Sequence, residues 1–224
     1  MPFYFLDAWV FSEGLMAVRA PFSYDDEGNR VSPGWGYIDT TGELVIAFQF
    51  HYASFFRDGR AAVLMDGLWG FIDHSGEVII PYQFQFLSGQ ADFFYIPQFS
   101  DGLARVNIGD AWDWYSPDIT WSYIDLYGEM VIPDTYRPPV SEPYNRGNIH
   151  RQAFPSSRDF SEGFAAVAHG EGTDWDPIDN RRWGFIDEDG RIVIPIEFHQ
   201  VGNVSEGLVW VRQGRWWGII EVVL

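Results

Sequence analysis

Short apolar runs, four to six residues long and set apart by polar clusters that carry Gly, recur from one end of the chain to the other. They are rich in β-branched and aromatic residues and too short for helices, so each predicts a strand. Trp35-Gly36-Tyr37-Ile38-Asp39 is one such run, and Gly42 follows at the spacing of a hairpin turn before Leu44-Val45-Ile46. In such a turn Asp hydrogen-bonds forward to the backbone and Gly supplies the positive φ. No window has the period of an amphipathic helix, and the pattern predicts an all-β chain.

The same pattern returns at Trp69-Gly70-Phe71-Ile72-Asp73 and Trp183-Gly184-Phe185-Ile186-Asp187. Trp121-Ser122-Tyr123-Ile124-Asp125 is a variant with Ser for Gly, and Trp217-Gly218-Ile219-Ile220-Glu221 is the last copy. A second apolar run follows the first four, with Pro at 81, 133 and 195 and Ala47 in the first copy. Upstream of each Trp stands another block: Phe11-Ser12-Glu13-Gly14, Phe56-Arg57-Asp58-Gly59, Phe99-Ser100-Asp101-Gly102, Phe160-Ser161-Glu162-Gly163 and Val204-Ser205-Glu206-Gly207. Two blocks varying together five times define a tandem repeat, with about three short strands in each unit. The sequence reads as one β-repeat domain over 1–224, with inserts at 19–34, 82–98, 107–120, 134–159 and 168–181.

Pro2-x-x-Phe5-x-x-Ala8-x-x-Phe11 matches Pro195-x-x-Phe198-x-x-Val201-x-x-Val204, so the chain opens in the second half of a unit. Offset ends of this kind suit a propeller-like closed ring, in which closure removes sheet edges. An open β-solenoid is the alternative.

With these residues in view, the chain resembles the bacterial WG-repeat family. The resemblance runs from Pro2 to about Val222 outside the inserts, and it implies a β-repeat scaffold suited to binding. It brings no catalytic residues with it. Ser122, Ala47 and the missing second hairpin strand of the last copy depart from the pattern.

Composition narrows the partners. With 32 acidic and 14 basic side chains the net charge is −18, and every basic residue is Arg. Phosphate recognition needs clustered cations, so nucleic acid is not expected, nor is an anionic membrane surface. The absence of Cys removes thiol chemistry and disulfides. The first residues lack a basic n-region and no run is long enough to span a bilayer, so a cytoplasmic location is expected.

Positions that break the repeat are where a function would sit. Three inserts fall between the first strand and the Trp strand of their units. They bring Tyr24, Asp25 and Asp26, then Trp112, Asp113, Trp114 and Tyr115, then Asp174, Trp175 and Asp176. An aromatic and acidic rim suits a basic peptide, through cation–π and ion-pair contacts, or a glycan, through stacking and hydrogen bonds. The bland alternative is that the aromatics pack the inserts down and the acids are solvated. Trp35, Trp69, Trp121, Trp183 and Trp217 are expected in the core, and Asp39, Asp73, Asp125 and Asp187 in turns.

No nucleophile elbow, zinc-protease helix, P-loop or dinucleotide fingerprint is present. A carboxylate pair of the glycosidase kind is the one catalytic option left. The expectation is a non-catalytic module for a protein or peptide of basic character, with no metal and no cofactor. A glycan-binding module is the first alternative, and a carboxylate-based hydrolase the second.

Overall fold

The computed structural model describes residues 5–85, 95–108, 121–131, 156–169 and 181–222, and among them every regular element is a strand. The chain divides into two compact units, residues 1–99 and 100–224.

In the first unit the strands are β1 (Asp7–Ala8), β2 (Leu15–Arg19), β3 (Ser23–Tyr24), β4 (Arg30–Val31), β5 (Trp35–Asp39), β6 (Leu44–Phe50), β7 (Tyr52–Ala53), β8 (Ala61–Met65), β9 (Leu68–Ile72) and β10 (Val78–Gln85). They form antiparallel sheets β1-β2-β5-β6 and β7-β8-β9-β10, with β3-β4 as a separate ribbon. The second unit follows the junction strand β11 (Phe99–Ser100). It holds β12 (Leu103–Asn107), β13 (Trp121–Asp125), β14 (Ser156–Ser157), β15 (Phe164–His169), β16 (Arg182–Asp187), β17 (Ile192–Phe198), β18 (Gln200–Val201), β19 (Leu208–Gln213) and β20 (Trp216–Glu221). Its sheets run β11-β12-β13, β14-β15-β16-β17 and β18-β19-β20. Each repeat is thus a small meander sheet. Each of the five sheets opens on a strand only two residues long, too short to register in the hydrophobic pattern.

Two turns build each meander. In the first, Glu13 (φ 50°) and Gly14 (φ 85°) are both left-handed, the signature of a type I′ hairpin turn. Ser12 and Leu15 exchange backbone hydrogen bonds across it at 2.9 and 3.0 Å. In the second, Asp39 Oδ1 accepts the amides of Thr41 and Glu43 at 2.8 and 3.0 Å and the Thr41 hydroxyl at 2.7 Å. Asp73, Asp125 and Asp187 hold their own turns in the same way.

The Gly after Trp35, Trp69 and Trp183 is a packing requirement. The two-residue step from Trp35 to Tyr37 in β5 stands opposite a four-residue step from Phe50 to Ile46 in β6, so the third strand bulges. A Cβ on Gly36 would lie 2.5 Å from the Ile46 carbonyl oxygen, and one on Gly184 2.5 Å from that of Ile194. Ser122 takes this place in the third repeat, whose third strand is represented among the described residues only by Met130 and Val131.

Within each unit a core lies between consecutive sheets. In the first unit Leu15, Ala17, Trp35 and Tyr37 meet Ala53, Phe56, Ala61 and Val63. In the second, Leu103 and Tyr123 meet Phe160, Ala165 and Val167, while the other face of the fourth sheet, with Ala166, Trp183 and Phe185, meets Val204, Val209 and Val211 of the fifth. Strand β15 is buried on both faces, so Ala165, Ala166 and Ala168 keep the sheets close. Burying one Phe of this kind contributes about 1.5–3 kcal/mol.

Trp35, Trp69, Trp121 and Trp183 are buried as the sequence leads one to expect. Trp217 differs, being 62% exposed. The cause is local: Phe50, Phe84 and Phe198 stand in register opposite Trp35, Trp69 and Trp183, whereas β20 is the edge of its sheet with no strand opposite Trp217 among the described residues.

Candidate functional site

The insert of the first repeat is an ordered ribbon. Ser23 pairs with Val31 and Tyr24 with Arg30. Its tip repeats the scaffold's own turn: Asp25 Oδ1 accepts the Asn29 amide at 2.8 Å and the Glu27 amide at 3.0 Å, and the Gly28 amide returns to the Asp25 carbonyl. The Asn29 amide, foremost among these bonds, holds the Asp25 carboxyl below the ordinary aspartate range. Arg30 lies 3.3 Å over the Phe22 ring, with Arg19 5.7 Å from it, which clamps the root of the ribbon. Tyr24 is left 73% exposed and Asp26 is exposed at the tip. Of the three insert residues expected at a rim, Tyr24 and Asp26 are presented to solvent and Asp25 builds the turn beneath them.

Trp112, Asp113, Trp114, Tyr115, Asp174, Trp175 and Asp176 lie outside the described residues. The strand ends that carry them are described. Asn107 pairs with Trp121, and His169 with Arg182, just as Arg19 pairs with Trp35. All three inserts therefore hang from the same connection of the repeat.

Where that connection carries no insert it is a tight turn, and a histidine reaches it. His51 Nδ1 accepts the Asp66 amide at 3.2 Å, and His199 Nδ1 lies 2.9 Å from the Gly214 amide. Both follow a Phe at equivalent positions, so these histidines are scaffold.

Side chains of the first turn reach from one repeat to the next. Ser12 donates to the Phe56 carbonyl at 2.6 Å, and Glu13 Oε2 accepts the Gly59 amide at 3.1 Å. In the second unit Asp101 accepts the Gly163 amide at 3.0 Å. Ser161 donates to the Val204 carbonyl at 2.9 Å. His74 lies 3.0 Å from Glu13 and stacks on Phe56 with centroids 4.4 Å apart. Sequence reasoning missed these links, although an acidic residue before Gly in every copy was a visible signal.

Among the described residues no cluster of His, Asp and Glu could hold a metal ion. A groove of about 420 Å³ runs between β17 and β20, floored by Ile194, Pro195, Phe198 and Val222 with Glu197 and Glu221 at its walls. No helix of the described residues is long and apolar enough to cross a membrane.

Residues 35–69, 69–112 and 183–217 match the family model described as WG containing repeat. Comparison with curated proteins gives no match. A solved structure titled "Crystal structure of the eukaryotic initiation factor" superposes with a TM-score of 0.41 at 14% sequence identity. The alignment covers 92% of this chain and 60% of that chain, so the present chain spans less than two thirds of its length.

Proposed function

The chain belongs to the WG containing repeat family, and on that premise we propose that it is a non-catalytic module that binds a protein or peptide of basic character. The observation that carries this reading is Tyr24, 73% exposed on a ribbon clamped by Arg30 and Phe22, with Asp26 also exposed at the ribbon's tip. An aromatic face held rigidly on the same ribbon as a carboxylate receives Arg or Lys at little ordering cost. The reading also takes in Trp112, Trp114 and Trp175 of the equivalent inserts, on their residue type alone, since they lie outside the described residues. The net charge of −18 steers a basic partner and makes its capture weaken with salt. The recurrent aspartates Asp39, Asp73, Asp125 and Asp187 are occupied as turn acceptors, which favours binding over acid–base chemistry.

The test is affinity capture with the wild-type chain beside a folded Tyr24→Ala/Trp112→Ala/Trp114→Ala/Trp175→Ala variant, at low and high salt. A partner held by the wild type, lost with the variant and released by salt is the expected result. Capture insensitive to salt but displaced by a soluble sugar would assign the rim to a glycan instead. Turnover of a glycoside would overturn the non-catalytic reading.

A further inference from the structure

The fifth sheet presents, uncovered, the face that other sheets bury against a following repeat. In the first sheet this face is Leu15, Ala17, Trp35 and Tyr37, and in the fourth Phe164, Ala166, Trp183 and Phe185. Aligned on the Ser-Glu-Gly turn and the Trp-Gly pair, the equivalents are Leu208, Trp210, Trp217 and Ile219, exposed by 45, 44, 62 and 74%. Trp210 and Trp217 already pack on each other with centroids 5.2 Å apart, so the patch is preformed. Contiguous aromatic exposure of this kind marks an interaction surface.

The opposite face is also partly open, at the first repeat. Phe56, Phe160 and Val204 are the buried residues each repeat turns toward the one before it. Their counterpart Phe11 is 48% exposed, and Ala8, counterpart of Ala53 and Val201, is exposed too.

We propose that a second copy of this chain docks head to tail, its first repeat on the fifth repeat of its neighbour, in the register the internal repeats already use. Phe11 then enters the patch of Leu208, Trp210, Trp217 and Ile219. Ser205 and Glu206 take the roles that Ser161 and Glu162 play toward the fifth repeat, the hydroxyl donating to the Phe11 carbonyl and the carboxylate receiving the Gly14 amide. Edge strand β20 has room for this. A Cβ on Gly218 meets nothing nearer than Val211 Cγ2 at 3.9 Å, where Gly184 is pressed by the Ile194 carbonyl at 2.5 Å. The Leu6 amide bonds the Arg19 carbonyl as His199 bonds Arg212, so docking carries Phe5 to the place over Trp217 that Phe198 holds over Trp183.

Such an interface is heterologous, and it builds rings or filaments rather than a closed two-fold dimer. It also sets two copies of net charge −18 together, so salt strengthens it, opposite in sign to the capture of a basic partner. The two readings therefore fail separately.

Sedimentation of the full chain from about 1 to about 200 µM, at about 0.15 and about 1 M salt, is the measurement. The wild type is expected to grow with concentration and further with salt. Ile219→Glu and Phe11→Glu alter exposed side chains on opposite faces, and each alone is expected to stay monomeric with unchanged circular dichroism. Mixed together they are expected to form a one-to-one dimer that grows no further, since one retains the patch and the other retains Phe11. A wild type monomeric throughout, variants that still assemble, or a mixture that stays monomeric would each overturn the proposal.

Discussion

The Glu162 carboxylate of the fourth repeat receives the amides of Gly207 and Glu206 in the turn of the fifth, at 2.8 and 2.7 Å. Those amide bonds, that of Gly207 foremost, hold the Glu162 carboxyl below the ordinary glutamate range. With the folded value under the unfolded one, the contribution is complete above about pH 4.3 and is lost as pH falls through the folded value. Glu162→Gln should lower the urea midpoint at pH 7, and the gap from wild type should close toward pH 2. A gap independent of pH would mean that the charge is not what holds the turn.

Gly184 and Gly218 occupy the same repeat position in different surroundings. Gly184→Ala drives a Cβ to within 2.5 Å of a backbone oxygen, an overpacking expected to cost about 1–3 kcal/mol. Gly218→Ala meets open space and should stay within about 0.5 kcal/mol of wild type. Chemical denaturation of the two variants side by side checks the contrast.

Trp69 and Trp217 make a second pair. Trp69 is 1% exposed, so Trp69→Ala should cost about 3–5 kcal/mol. Trp217→Ala, measured at a concentration where the chain is monomeric, should cost less than about 1 kcal/mol. Equal losses would mean that Trp217 is covered in solution.

The buried Tyr37 hydroxyl donates to the Ser54 carbonyl at 2.8 Å and binds the first sheet to the second. Tyr37→Phe should cost about 1–2 kcal/mol, because it leaves that acceptor without its donor. Burial pushes the phenols of Tyr37 and Tyr123 far up, and that of Tyr52 up to about 12. These folded values exceed the unfolded ones, so the stability they lend is complete below about pH 10 and falls as pH rises. Ultraviolet titration of the native chain should therefore leave these tyrosines un-ionised until alkaline unfolding releases them in one step.

Trp-Gly, Asp-x-x-Gly and Ser-Glu-Gly each encode a local conformation, and for that reason the strands, both turns and four buried tryptophans were legible in the sequence. The two-residue strands were not, since two residues carry no period. The exposure of Trp217 goes with the second hairpin strand that the last copy lacks, a departure visible in the sequence that could have set this Trp apart from the other four. At the rim, Asp25 was legible as a turn residue all along: its distance from Gly28 equals that of Asp39 from Gly42. The links from Glu13, Asp101 and Glu162 join residues far apart in the chain, and a single sequence shows only that an acid recurs.

Residues 66–67 close one hairpin in two steps, while residues 20–34, 108–120 and 170–181 fill the same gap between strand ends paired in the same register. Closing a longer loop costs only slightly more entropy. The gap therefore works as a cassette port. A foreign loop spliced between Met65 and Leu68 inherits a rigid pair of anchors and leaves the register of the sheet untouched, so the scaffold can change what it displays without being rebuilt.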